Sequence, residues 1–286
     1  MNRLGHLWGS ILVVLLVGAF VGCSPPVEKL DAPPSPDTKD DAPAVTPEAG
    51  ESPSVPNEVE PSAAIEQSEE GSTSERVVLA SWRLDSLGEI ADISGHGHTL
   101  QVQNGEDGTD VALVDGGGLR FSGDDVVVSS DAALSGNLRD DISFSCWFRS
   151  TSFDNPSMLC GWYVKEPSFK ALELRLHGAD QVMLNVQDSE RKDPAKRNNS
   201  VRGGTNLSDG AWHHVVAVRE YGKRISLYVD GELVSARNDV GIQFPDSMNF
   251  YVAGLYGYKG DIDAVSLWKG ALSAEEVKAL TAAGRG

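Results

Sequence analysis

The chain has 286 residues, 40% of them hydrophobic, and a formal net charge of −18. That is enough apolar material for one sizeable core, while the acidic balance repels phosphate backbones and excludes nucleic acid as a general partner. Residues 24–76 hold ten of the fourteen prolines, no aromatic residue, and thirteen acidic against three basic side chains, so that segment cannot bury the apolar surface needed to offset its ordering entropy.

Arg3 and His6 precede an unbroken apolar run from Ile11 to Val21, too short to cross a bilayer and of the right length for a secretory signal core. The run ends in "FVGC", which resembles the lipobox of bacterial lipoprotein signal peptides, although Phe20 stands where Leu is more usual. The resemblance implies that Cys23 carries the lipid and becomes the new N-terminus, and that Ser24 permits sorting to an outer membrane. Residues 1–23 are then a leader, and residues 24–76 a disordered acidic tether. As a coil the tether spans roughly 40 Å, and as extended polyproline roughly 160 Å.

From Val77 to Gly286 the chain offers short runs rich in Val, Ile, Leu, Phe and Trp, separated by Gly, Asp, Asn and Ser turns. That pattern predicts an all-β antiparallel sandwich of two sheets. "VVLASWRLD" opens it, and "LRF" and "VVV" follow. Between Ile142 and Arg149, Ile142, Phe144, Cys146 and Phe148 share one face. "SMLCGWY" comes next, and the two stretches carrying Cys146 and Cys160 read as adjacent antiparallel strands. In an oxidising compartment these cysteines could form a disulfide; two buried free thiols are the alternative. "ALELRLH" alternates, with Leu172, Leu174 and Leu176 inward and Glu173, Arg175 and His177 outward, and "VMLNV" pairs with it across "GAD".

"WHHVVAVREYGKRISLYVDGELV" reads as two strands around Tyr221-Gly222-Lys223 and a tight turn at Asp230-Gly231. Adjacent strand residues point to opposite faces, so His213 and His214 do not ligate one metal together. His214 shares its face with Trp212, Val216 and Val218, as a buried histidine with a hydrogen-bond partner. Ser273 followed by Glu276 in "LSAEEVKAL" is a capping box for one closing helix, which packs Val277 and Leu280 onto the sandwich.

Four stretches together resemble the laminin-G-like, concanavalin A-type jellyroll family: "SWRLDSLGEIADISGHGHTL", "LRFSGDDVVV" with "ISFSCWFRS", "WHHVVAVREYGKRISLYVDGELV" and "GDIDAVSLWKGALSAEEVKAL". They run in the family's order; Ala264 stands where an acid is usual, and Ser122 where the turn usually has Asp. The resemblance implies a two-sheet jellyroll that binds carbohydrate or protein, sometimes with a structural calcium ion. For such an ion it points to Asp263 first, with Asp261, Asp85 and Asp92 as further ligands, since calcium needs six to eight oxygens.

An enzyme of the laminarinase type is the competing class, but it needs paired carboxylates on one strand face. Here Glu173 is followed by Arg175, and Glu275-Glu276 fall on the closing helix. The expected function is therefore non-catalytic: a membrane-anchored module recognising a glycan at the cell envelope, or else an envelope or matrix protein. The candidate ligand residues are the basic cluster Arg191, Lys192, Lys196, Arg197 and Arg202 in "QDSERKDPAKRNNSVRGGT", whose charge suits an acidic polysaccharide. Arg175, His177, Trp162 and Tyr163 join them as a stacking platform.

Overall fold

The computed structural model describes residues 76–286, apart from 104–110, 124–125, 130–131, 152, 154–156, 166, 179 and 254–256 and the side chains of 126, 128–129 and 132. The leader, Cys23 and the tether lie outside the described residues. Six strands come first: β1 (Val77–Trp82), β2 (Glu89–Ile90), β3 (Leu100–Gln103), β4 (Ala112–Leu113), β5 (Leu119–Ser122) and β6 (Val126–Ser129). Four long ones follow: β7 (Ile142–Arg149), β8 (Met158–Val164), β9 (Lys170–His177) and β10 (Gln181–Asp188). The chain then forms β11 (Val201–Gly203), β12 (His213–Glu220), β13 (Arg224–Val229), β14 (Glu232–Arg237), β15 (Asn249–Val252), β16 (Lys259–Lys269) and helix α1 (Ala274–Ala283).

These strands make two antiparallel sheets of eight. The first has the order β14-β13-β12-β7-β16-β5-β4, with β1 also on β16; the second runs β11-β10-β9-β8-β15-β6-β3-β2. Strand β16 is long enough to pair β5 with its first half and β1 with its second. Between the halves, at Asp263 to Ser266, the register slips at a bulge where Ala264 takes φ 47°. The chain crosses from sheet to sheet at β1–β2, β3–β4, β5–β6, β6–β7, β7–β8, β11–β12, β14–β15 and β15–β16, the winding of a jellyroll.

The core lies between the sheets. Phe144 meets Trp162 edge-on at 5.4 Å, Trp162 meets Phe250 at 4.9 Å, and Trp82 stacks on Phe250 at 5.5 Å. Arg219 also points inward and is wholly buried. Its charge is met by Asp239 at 3.0 Å and its remaining donors by the carbonyls of Leu138 and Ile242, while Tyr221 and Phe244 flank the guanidinium.

Strands β7 and β8 are not neighbours in one sheet, as the sequence suggested; they face each other from opposite sheets. Cys146 and Cys160 therefore approach across the core, as two free, buried thiols close enough to hydrogen-bond. The expected hairpins are present: β9 pairs β10 from Gln181↔His177 to Asp188↔Lys170, and Asp230 and Gly231 turn β13 into β14 at φ 51° and 86°. Helix α1 begins with the reciprocal capping box of Ser273 and Glu276. It lays Val277 and Leu280 on Val216, Val218, Tyr228 and Trp268, covering part of the outer face of the first sheet.

Candidate functional site

Alternation along β8 to β11 sends one set of side chains to the outer face of the second sheet. Glu173 sits opposite Asn185 on β10 and Gly161 on β8; Arg175 sits opposite Met183, and His177 opposite Gln181. Arg202 of β11 pairs with Met183, and Tyr251 of β15 with Gly161. At Gly161 the strands come so close that a Cβ would lie 2.4 Å from the Leu172 carbonyl oxygen, so only glycine fits and the middle of this face carries no side chain at that point.

The polar chemistry of this face is incomplete. Asn185 Nδ2 donates to Glu173 Oε1 at 2.9 Å, Ser200 Oγ donates to Asn185 Oδ1 at 2.8 Å, and Arg175 Nη1 lies 3.5 Å from Glu173 Oε1. Glu173 Oε2, Arg175 Nε and His177 Nδ1 are buried without a hydrogen-bond partner. Burial pushes the Glu173 carboxyl up to about 7, against the opposing pull of Asn185 and Arg175. His177 is held below the ordinary imidazole value by burial and by the charges of Arg202 and Arg175. It is neutral near pH 7 and accepts at Nε2 from Arg202 Nη1 at 3.0 Å, which leaves the proton on the unpaired Nδ1. Beside this cluster Tyr163 and Tyr251 lie ring against ring at 4.4 Å, with Asn249 Nδ2 donating to the Tyr251 hydroxyl.

Of the residues picked from sequence, Arg175, His177, Arg202 and Tyr163 come together here. Trp162 does not: it is one residue out of phase with the outer face and fully buried in the core, so it forms no surface platform. The rest of the basic segment is also placed elsewhere, by bonds within itself and to Val240. Arg191 donates to the Val240 carbonyl at 3.0 Å, Arg197 Nε to the Arg191 carbonyl at 2.7 Å, and Lys196 pairs with Asp193 at 3.6 Å; Lys192 is exposed. Nothing in the sequence pattern marks Glu173 and Asn185 as a buried pair. An outward position in an alternating strand reads as solvated, whereas both are fully buried.

The four aspartates proposed as calcium ligands are not gathered into one set. Asp261 is bound by Arg120 (Nε–Oδ1 2.7 Å) and by Arg149 (Nε–Oδ2 2.9 Å). Burial would raise its carboxyl, but the two guanidiniums hold it below the usual range. Asp263 accepts from the Ala264 and Leu84 amides and from Arg285 Nη1 at 3.1 Å. Asp92 closes its turn by accepting from the backbone of Ser81, Ser94 and His98, and Asp85 is exposed. Cationic partners at Asp261 and Asp263 and amide donors at Asp92 occupy oxygens a calcium ion would need. Among the described residues no three His, Cys, Asp or Glu side chains converge as metal ligands, and the donor set does not fit calcium.

The two histidines separate as alternation requires. His214, on the outer face of the first sheet, stacks on Trp147 at 4.9 Å and bonds Thr281 Oγ1 of α1 at 2.7 Å; burial pulls it down to about 4. His213 bonds Asp230 at 2.8 Å and Asp209 at 3.2 Å. Burial alone would lower it, but the two carboxylates raise it above the ordinary value.

Residues 121–278 match the family model of the concanavalin A-like lectin/glucanases superfamily, more than half of the chain, and the protein belongs to that family. Its fold recurs in the binding domain of Paraclostridial Mosquitocidal Protein 1 (16% identity, TM-score 0.53, 71% of this chain and 51% of that one). It recurs also in the binding domain of botulinum neurotoxin DC, solved in complex with rat synaptotagmin II (13% identity, TM-score 0.55, 72% and 51%) and with SialylT (12% identity, TM-score 0.56, 72% and 51%). The chain spans about half the length of those structures. No curated protein matches it in sequence. Family and fold together define the domain as a concanavalin A-like jellyroll.

Proposed function

We propose that the protein is an exported, lipid-anchored module that recognises a glycan with the outer face of its second sheet. The observation that carries this is the row of Glu173, Arg175 and His177 along one face of β9, whose Oε2, Nε and Nδ1 are buried polar atoms without partners, beside the Tyr163–Tyr251 pair. An orphaned buried polar atom costs about 1–3 kcal/mol, and a cluster of them on one face is accounted for by a ligand that supplies the missing donors and acceptors. Sugar hydroxyls do both, and aromatic rings accept the apolar face of a pyranose. Arg175, His177, Arg202 and Tyr163 line the site, with Glu173 and Asn185 behind them. The same face would take a protein ligand less readily, because its centre is polar rather than apolar.

The anchoring rests on Cys23 and the tether of residues 24–76, which would hold the domain clear of a membrane, the outer membrane by the presence of Ser24. The toxin domains solved with SialylT and with synaptotagmin II are relatives in fold alone, and lend the family's use in recognition as support.

The purified chain applied to an array of oligosaccharides and polysaccharides is expected to give saturable binding that free sugar competes away and that a chelator leaves unchanged. Capture of envelope proteins with no sugar competition would replace the glycan with a protein, and release of shortened polysaccharide would make the domain an enzyme. Palmitate labelling that is lost in Cys23→Ala tests the anchor.

A further inference from the structure

A separate cavity of about 580 Å³ opens on the first sheet, lined by Arg120, Arg149, Lys259, Ser150, Thr151 and Asp261 together with Gly210, Gly260 and the edge of Phe121. We infer that it is a second binding site, for a sugar residue carrying an anionic group, a sulfate ester or a carboxylate. Three cations meet one carboxylate there, leaving a local charge of about +2 in a domain whose formal charge from Val77 onward, twenty basic against twenty-nine acidic side chains, is −9.

The two guanidiniums are held in place before any ligand arrives. Asp261 takes Nε and Nη2 of both, Arg149 also lies over the Trp212 ring at 4.9 Å, and Arg285 closes the other contact to that ring at 4.0 Å. Tyr258, fully buried beneath, donates its hydroxyl between the carbonyls of Arg149 and Asp261 at 3.1 and 3.0 Å and ties β7 to β16 at this point. Neither Arg120 nor Arg149 uses Nη1 in a hydrogen bond among the described residues, so each presents a remaining charged N–H donor. Arg120 is 61% exposed at the side chain and Lys259 is exposed. Charge-assisted bonds from fixed guanidiniums are the strong kind. The volume falls in the range of small-molecule sites and exceeds what a lone inorganic anion fills, which favours an anion carried on a sugar. Ser150 and Gly210 close the wall by bonding within the fold, Ser150 Oγ to the Lys259 carbonyl at 2.9 Å and the Gly210 amide to the Ser150 carbonyl at 3.1 Å, and the exposed Thr151 completes the lining.

This site is on the other sheet from the Glu173 cluster and stands without it. Calorimetric titration of the full chain with glucose 6-sulfate, glucuronic acid, inorganic sulfate and glucose tests it. Saturable binding at about 1 mM or tighter is expected for the two anionic sugars, weaker binding for sulfate, none for glucose, and weakening as salt rises. Arg120→Gln and Lys259→Gln are each expected to weaken the anionic sugars about tenfold, and Glu173→Gln to leave them unchanged. The exposed Lys259 side chain has no hydrogen bond or ion pair among the described residues, so its variant keeps the native unfolding midpoint and a null result in it is not a folding defect. Absence of saturable heat with both anionic sugars, or unchanged affinity in both variants, overturns the assignment and reduces the cluster to a cross-link between β5, β7 and β16. Sulfate binding as tight as the sugars would overturn the sugar and leave an anion site.

Discussion

The outer faces of the two sheets are built by the same strand alternation, yet the buried polar groups of one are paired and those of the other are not. On the first sheet, α1 lies over Val216, Val218 and Tyr228, Thr281 satisfies His214, and Arg120, Arg149 and Arg285 neutralise Asp261 and Asp263. On the second, Glu173, Arg175 and His177 each keep a buried atom with nothing to bond. A face whose buried groups are met by the protein's own helix and arginines contributes to stability. A face left with polar atoms unpaired gives up stability and holds that interaction capacity for something else.

The comparison breaks most visibly where the helix is removed from its seat. Val277→Asp places a charge in the fully buried contact between α1 and the first sheet, and is expected to lower the unfolding free energy by at least about 3 kcal/mol, read from urea denaturation. Gln187→Ala, a half-buried outward position on β10, should stay within about 0.5 kcal/mol of the native protein. Equal losses in both would mean that the second face is covered as firmly as the first.

Titration sharpens the same contrast, because each face buries one group with the opposite sign. Glu173, raised from 4.5 to about 7, holds a proton in the fold that the unfolded chain releases; its stabilisation is complete below pH 4.5 and lost as the pH rises to about 7. His214, lowered from 6.5 to about 4, is protonated more readily in the unfolded chain; its stabilisation is complete above pH 6.5 and lost as the pH falls towards 4. Each shift corresponds to about 3 kcal/mol, and between pH 4.5 and 6.5 the two slopes oppose each other. Glu173→Gln is expected to expose a stability that rises from pH 4 to 6.5, and His214→Gln one that falls from pH 4.5 to 7, in urea melts at stepped pH. A Glu173→Gln curve parallel to the native one would remove Glu173 as a buried titrating carboxyl.

Much of this contrast was legible in the sequence. The alternation of "ALELRLH" sorted Leu172, Leu174 and Leu176 from Glu173, Arg175 and His177; Ser273 and Glu276 announced α1; and the face shared by His214, Val216 and Val218 is the one the helix covers. What stayed hidden depends on contacts between residues far apart in the chain. Asp261 finds Arg120 and Arg149, 141 and 112 residues away, and no local pattern signals that its carboxylate is already paired. Cys146 and Cys160 lie in strands close in sequence but in opposite sheets, because the chain crosses over between β7 and β8. Trp162 was readable: Gly161 and Tyr163 face out, so the residue between them faces in.

On the second face itself the expected effects are on binding. Arg175→Gln and Tyr163→Ala should each weaken glycan binding about tenfold, measured by titration with whichever array sugar binds best, while the anionic-sugar pocket of the first sheet is unaffected. Loss at both sites together would indicate a global disturbance rather than two independent surfaces.

The smallest effect is expected where the sequence drew most attention. Basic side chains of the segment are already engaged by the fold: Arg191 and Arg197 donate to carbonyls, Lys196 pairs with Asp193, and Lys170 nearby is shared by Asp188 and Glu190. Of the segment's five basic residues, Arg202 alone reaches the Glu173 face, through His177. Lys192→Ala with Lys196→Ala should therefore leave glycan affinity within about twofold and stability within about 0.5 kcal/mol, whereas Arg202→Gln should weaken binding. A large loss in the lysine double variant would move the recognition surface from the sheet to the loop, and with it the reason for the unpaired atoms on Glu173, Arg175 and His177.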